Sequence, residues 1–220
     1  MTEMTTNNQE DKAQIDEFKE MLEKALQDFQ ITALNEEQMK QLVGHYAMMI
    51  EWNRHTNLTR ITEPAEAARF HYAESIFGAR FAGEAQKILD IGSGAGFPAL
   101  PLAVANPDTQ VTALESNQKK TFFLSEVKEA LQIANFKIAR ARVEDFNIQS
   151  YDLLTSRALD RTEDVIPKVL KKMRIEQRVM LYCAPGMVER LQKKLSISYD
   201  IQTHPIPMAE SRIIAIFARQ

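Results

Sequence analysis

The chain of 220 residues has a single cysteine, Cys183, so no disulfide can close within it, and the sequence suits a reducing compartment. Cys183 ends the apolar run Val179–Cys183 and reads as a small buried residue. The four histidines, His45, His55, His71 and His204, stand at no metal-ligand spacing with one another or with Cys183, so no metal is expected. No apolar run approaches the ~18 residues of a membrane span. The N-terminus is polar and acidic and lacks the apolar segment of a secretory leader. Together these absences predict a cytoplasmic protein with no membrane partner. Phosphate-loop Gly-Lys-Ser/Thr is missing, as are a Ser/His/Asp set and a paired-carboxylate set, and no internal repeat is present.

Glycine is also scarce, with seven in the chain, yet three stand at alternate positions, Gly92, Gly94 and Gly96. They lie in KILDIGSGAGFPALPLAVANPDTQVTALE, Lys87–Glu115. An apolar run, Ile88 to Ile91, is interrupted by Asp90; the glycines follow, then a small-residue apolar segment. A second apolar run, Val111 to Leu114, ends at Glu115. The order is strand, glycine turn, helix, strand, acid: a βαβ unit for a nucleotide-like cofactor. The glycines let backbone N–H groups approach a ligand at a helix N-terminus. A dinucleotide fingerprint requires glycine at the sixth position, where Phe97 stands, so a dehydrogenase is disfavoured. Asp90 at the strand end would repel a pyrophosphate but suits a ligand with an amino group and a sulfonium. Glu115 follows Gly96 at close to the ~20-residue spacing of an acid that binds ribose hydroxyls. The segment resembles motif I of the class I S-adenosylmethionine-dependent methyltransferases.

Charge is uneven. Residues 1–86 carry a net charge of −7 and residues 87–220 one of +4. The acidic total does not favour a nucleic-acid partner, although a local basic face suffices for one. Residues 1–12 are polar and predict a disordered tail. From Ile15 to Phe29, and from Met39 to Ile50, apolar residues recur at helical spacing, with Asn35 and Gln38 as a capping box for the second helix. Thr62 and Pro64 predict a third helix, to about Phe81. These make residues 13–84 an N-terminal helical extension and residues 85–220 the main domain. Ser116 is the expected cap of a helix from Asn117 to Ala134. Strands follow at Phe136–Arg140, Tyr151–Ser156 and Arg178–Cys183, with a helix from Thr162 to Met173. Pro185-Gly186 breaks the chain before another helix. Ile197–Ile206 and Arg212–Ala218 form a closing hairpin. The class is α/β, a Rossmann-like, seven-stranded, mainly parallel sheet, and the strand-end rule puts ligands at the carboxyl ends of strands one, two and four.

Five motifs occur in order: W-N-R-x-x-N-L-T (Trp52–Thr59), H-x-x-E-S (His71–Ser75), L-D-I-G-S-G-A-G-F-P (Leu89–Pro98), R-V-E-D-F (Arg142–Phe146) and S-R-A (Ser156–Ala158). From about residue 38 onward the chain resembles the RsmG (GidB) family of bacterial 16S ribosomal RNA guanine-N7 methyltransferases. The resemblance implies a class I S-adenosylmethionine-dependent methyltransferase. The cofactor is held around Asp90, Gly92, Gly94, Gly96 and Phe97, with Glu115 in place of the family's usual Asp. Val143 and Glu144 match the pair that flanks the adenine, and Arg157 the arginine after strand four. Three departures each remove a cation: Phe70 in an Arg-His pair, Pro185 at a lysine, and Ser211 at an arginine, where neighbouring Arg212 can substitute.

The implied partner is 16S ribosomal RNA or the small subunit, met by a monomer. Candidate RNA contacts are Arg54, His55, Arg60, His71, Lys119, Lys120 and Arg161, through phosphates and exposed bases. Guanine N7 carries no proton, so its methylation needs no general base, and none is assigned; positioning does the catalysis. Two other readings remain open from the sequence: methyl transfer to another RNA or a small molecule, and an RNA- or ribosome-binding protein without turnover.

Overall fold

In the computed structural model, which describes residues 2–157, 162–195 and 198–219, seven strands form one sheet in the order β3-β2-β1-β4-β5-β7-β6. The strands are β1 (Lys87–Ile91), β2 (Gln110–Leu114), β3 (Phe136–Ala139), β4 (Leu153–Arg157), β5 (Arg178–Cys183), β6 (Tyr199–Pro205) and β7 (Ile213–Arg219). Pairing is parallel from β3 across to β5, and β7 runs antiparallel to both β5 and β6. The expected α/β sheet and closing hairpin are therefore present. The strand order reverses beside β1, between β2 and β4, which opens a crevice at their carboxyl ends.

Side chains alternate along each strand, so each strand feeds two cores. Ile88, Val111, Leu153 and Met180 face one core, and Leu89, Leu154, Val179 and Leu181 the other. The second core is covered by α7 (Thr162–Lys172) and α8 (Pro185–Lys194), through Ile166, Leu170 and Leu191. The first is covered by α5 (Ala99–Ala105), α6 (Gln118–Ala130) and the N-terminal helices α1 (Thr2–Asp28) and α2 (Glu36–Thr56). Phe18 of α1 stacks on Tyr46 of α2 with centroids 3.9 Å apart, and meets Tyr72 edge-on. Tyr46 Oη donates to Thr62 O at 2.7 Å, which fixes the chain after α2. The N-terminal helices thus share one core with the sheet.

Several local expectations shift. Helix α1 begins at Thr2, within the segment assigned to a tail; no glycine or proline interrupts residues 2–28, so nothing in the chain breaks the helix. Asn35 and Gln38 do form the capping box of α2. The third helix is capped by Glu63, not Thr62: its carboxylate accepts from Ala65 N and Glu66 N, and Pro64 fills the first helical position. This helix, α3 (Pro64–Glu66), widens into a π-helical segment (Ala67–Ala73), then continues as α4 (Glu74–Phe77) and a 3₁₀ turn (Gly78–Phe81). The cap of α6 is Asn117, whose side chain accepts from Lys119 N and Lys120 N, because Glu115 holds the preceding turn. Pro185 opens α8 instead of breaking the chain, since a first-turn position needs no N–H.

Candidate active site

A cleft of about 440 Å³ lies at the carboxyl ends of β1, β2 and β4. Its floor is the glycine turn. Gly92, Gly94 and Gly96 have φ of +75°, +58° and +103°, values that side-chain-bearing residues rarely adopt. The turn is closed by Gly92 N–H donating to Leu114 O at 2.8 Å and Gly96 N–H to Ser93 O at 2.8 Å. A Cβ on Gly94 would meet no atom within 4 Å, so this residue faces open cleft. A Cβ on Gly96 would lie 3.0 Å from Leu124 Cδ2, so this glycine serves packing under the turn.

Glu115 is the hub. Its Oε2 accepts from Gly94 N–H at 2.9 Å and its Oε1 from Asn117 N–H at 2.8 Å, tying the glycine turn to the start of α6. Each oxygen keeps a lone pair for a ligand hydroxyl. Asp90 is fully buried beneath the turn and does not line the cleft. Neither carboxylate oxygen has a hydrogen-bond partner among the described residues. Burial pushes its carboxyl up to about 7, against the pull of the Arg157 charge. Val143 and Glu144, on the 3₁₀ turn Val143–Asp145, form the side wall, with Lys120 also in the lining.

The opposite wall joins elements far apart in sequence. Arg157 donates to His71 Nδ1 at 2.7 Å and to Phe70 O. His71 stacks on Phe97 at 4.2 Å and 9°. Because a guanidinium only donates, His71 Nδ1 is an acceptor and Nε2 carries the proton, which it gives to Thr59 Oγ1 at 2.9 Å. Burial, then the Arg157 charge, then His45 lower the His71 pKa to about 2. His71 was expected as an RNA-binding cation; it is a neutral, buried spacer between Arg157 and Thr59. Thr59 is placed by Asn53, whose Oδ1 accepts the Thr59 N–H at 2.9 Å.

The remaining RNA candidates divide. Arg54 is ion-paired to Asp11 and Glu51 at 2.5 Å each, so its charge is engaged within the N-terminal helices. His55, Arg60 and Lys119 are exposed, and Lys120 is half-buried at the cleft. Arg161 lies outside the described residues. Trp52 packs against Phe122 and Phe123. At the departures, Pro185 heads α8 and Ser211 is exposed, while Arg212 turns inward to pair with Glu74 at 2.6 Å.

Sequence reading missed two supports of the turn. His45 Nε2–H donates to Ala95 O at 2.9 Å and its Nδ1 accepts from Tyr72 Oη at 2.9 Å. Burial holds this ring neutral, with its pKa lowered to about 4. Ser156 Oγ donates to Ile91 O at 2.8 Å, bracing β4 on β1. The cues were faint, a histidine on an otherwise apolar helix face and the serine of S-R-A. Among the described residues no group of three His, Cys, Asp or Glu could hold a metal ion, and no helix is long and apolar enough to cross a membrane.

This strand order, with an antiparallel β7, a glycine turn after β1 and an acid after β2, defines the class I methyltransferase fold. Solved structures share it: ribosomal protein L11 methylase from Lactobacillus delbrueckii subsp. bulgaricus (TM-score 0.56, 15% identity, 74% of this chain and 88% of that one). Precorrin-6y C5,15-methyltransferase from Geobacter metallireducens GS-15 is another (TM-score 0.51, 17% identity, 73% and 90%). Within that class the chain belongs to the GidB family, rRNA small subunit methyltransferase G, which it matches over residues 38–204. Ribosomal RNA small subunit methyltransferase G of Limosilactobacillus reuteri is 35% identical over 184 residues, 79% of this chain and 76% of that protein. The Pseudomonas aeruginosa protein of the same name is 39% identical over 133 residues, 60% of this chain. The match spans 62% of the length of that relative.

Proposed function

We propose that this chain transfers a methyl group from S-adenosylmethionine to N7 of a guanine in 16S ribosomal RNA, acting as a cytoplasmic monomer on that RNA or on the small subunit. The observation that carries the reading is the lock between Glu115 and the Gly94 amide, set above the unpartnered Asp90 carboxylate, in a chain of this family.

The residues present fit the cofactor. The open face of Gly94 leaves room for a ligand in the cleft, and Asp90, buried beneath the turn, acts on a ligand ammonium as a charge at a distance and not as a contact. The free lone pairs of Glu115 suit vicinal ribose hydroxyls, and Val143 and Glu144 bound a flat ring. When bound, the cofactor supplies an electrophilic methyl on a sulfonium. The protein's part is positional. Guanine N7 already holds a lone pair and no proton, so no residue has to remove one, and neutral His71 cannot protonate N7 and quench it. Arg157, held by His71 and Phe70 O, presents a fixed charge at the boundary of the cleft. Such preorganisation is worth several kcal/mol in oriented reactions, within the ~7–11 kcal/mol available from proximity. Lys120 in the cleft lining and the exposed Lys119, His55 and Arg60 are the cations offered to RNA phosphates.

Tritium transfer from methyl-labelled S-adenosylmethionine to purified small subunits, with large subunits as control, tests the function. Label in small-subunit RNA alone supports it; label in neither, with cofactor binding intact, removes it.

A further inference from the structure

A second cavity, of about 590 Å³, lies beside the cofactor cleft at the ends of β4 and β5. The two share His71 and Arg157 in their linings. Phe70, Tyr182 and Met187 supply its apolar walls, and Glu74 and Arg212 its charge. Glu74 is 2% exposed, and the π-helical segment before it carries Phe70 and His71 into the same wall. Arg212 donates twice to one oxygen of Glu74, from Nε at 3.1 Å and from Nη2 at 2.6 Å, both to Oε1. The Arg212 guanidinium also lies over the Phe70 ring, 4.2 Å from its centroid. Oε2 of Glu74 accepts no hydrogen bond among the described residues. A largely buried carboxylate with one oxygen left open in a cavity lining favours a ligand that brings N–H donors.

Resting on the reading above, we infer that this second cavity receives the acceptor guanine and that Glu74 Oε2 selects it by accepting from the N1–H and N2–H₂ edge. Adenine has a lone pair at N1 and no amino group at C2, so it would set an acceptor against the carboxylate. N7 lies on the purine edge opposite that pair. Seating the donor edge on Glu74 therefore turns N7 toward His71 and Arg157, the boundary with the cofactor cleft. O6 falls on the same side, where Arg157 keeps N–H groups beyond the two spent on Phe70 O and His71. Arg212 is the positioning residue: it holds one oxygen of the carboxylate so that the other stays aimed at the cavity. The acceptor has to be an unstacked, unpaired base, because the N1–H and N2–H₂ edge seated on Glu74 is the edge that a base pair would occupy.

The test removes one functional group on each side. Small-subunit RNA is ligated to carry guanosine, inosine or adenosine at the position that the wild-type enzyme methylates. Single-turnover rates are measured under saturating S-adenosylmethionine for wild type and Glu74→Gln. Wild type is expected to lose about 10- to 100-fold on inosine, which lacks only the C2 amino group. Glu74→Gln is expected to lose a similar factor on guanosine and little more on inosine, with unchanged cofactor affinity by calorimetry. An inosine penalty of the same size in both enzymes reduces Glu74 to an anchor for Arg212 and overturns the inference. Equal wild-type rates on guanosine and inosine overturn it without any variant, even where Glu74→Gln fails to fold. A wild-type chain that methylates no guanosine RNA overturns the functional reading, and this inference with it.

Discussion

Glu115 Oε2 accepts the Gly94 N–H at 2.9 Å, joining the end of β2 to the turn after β1 across 21 residues of sequence. With Oε1 held by Asn117 N–H, the carboxylate sets both the glycine turn and the start of α6 before any ligand arrives. Replacing Glu115 by Ala frees two amides and removes the acceptor for ribose hydroxyls. Hydrogen bonds to a charged group contribute about 1.5–3 kcal/mol, so S-adenosylmethionine affinity should fall about 10- to 100-fold in calorimetry while circular dichroism stays native. An unchanged dissociation constant would remove Glu115 from the cofactor site.

The glycines of the turn should separate stability from binding. Gly94→Val puts its side chain into open cleft at φ +58°. It should abolish cofactor binding, with the modest loss of stability, about 1–2 kcal/mol, that left-handed backbone imposes on an L residue. Gly96→Ala stands at φ +103° with Leu124 Cδ2 at 3.0 Å. It should lower the melting temperature more than Gly94→Val does. Thermal melts of the two variants side by side check the order; the reverse order would mean the packing under Gly96 yields.

Acid should weaken the fold through its buried rings. His45 is held near pKa 4 and His71 near 2 in the folded chain, against about 6.5 unfolded. Below 6.5 the unfolded chain takes up protons that the folded one refuses, so stability is full above that pH and falls as pH drops toward 4. Asp90, raised to about 7 from 3.8, works the other way: the folded state binds its proton more tightly, and stability declines as pH rises between those values. Glu74, also raised by burial, acts in the same sense as Asp90. The share of the rings is isolated by difference: from pH 6.5 to 4 the urea midpoint should drop further in wild type than in His45→Gln, and an identical change would show that His45 protonates without cost.

Cofactor affinity carries its own pH signature. A bound ammonium favours the ionised form of Asp90, whose free-protein pKa is about 7. Binding should therefore strengthen from pH 6 to 7.5 and release protons, seen as buffer-dependent heats. Asp90→Asn should bind more weakly at pH 7.5 and lose the dependence. Buffer-independent heats in the wild type would detach Asp90 from the cofactor's amino group.

What the sequence disclosed was local. The run from Lys87 to Glu115 shows strand, turn, helix and acid because each is set by neighbours within a few residues, and the alternation that splits Ile88 from Leu89 marks a sheet buried on both faces. What stayed hidden depends on contacts across long separations. The Arg157–His71–Thr59 chain joins residues up to 98 positions apart, and only folding shows that His71 is sandwiched against Phe97 and stripped of its charge. Arg54 reads as a free cation until Asp11, 43 residues earlier, folds back onto it. Helix ends moved for nearer reasons: Glu63 outcompetes Thr62 as a cap, and Asn117 outcompetes Ser116, because side-chain reach to the second and third amides decides.

The central claim is the identity of the methylated atom. Small subunits from a strain lacking its own enzyme of this family, treated with the purified chain and S-adenosylmethionine, can be digested to nucleosides and resolved by mass spectrometry. The account predicts new 7-methylguanosine in 16S ribosomal RNA, absent with Gly94→Val. A methyl group on any other nucleoside, or none with the cofactor bound, would contradict it.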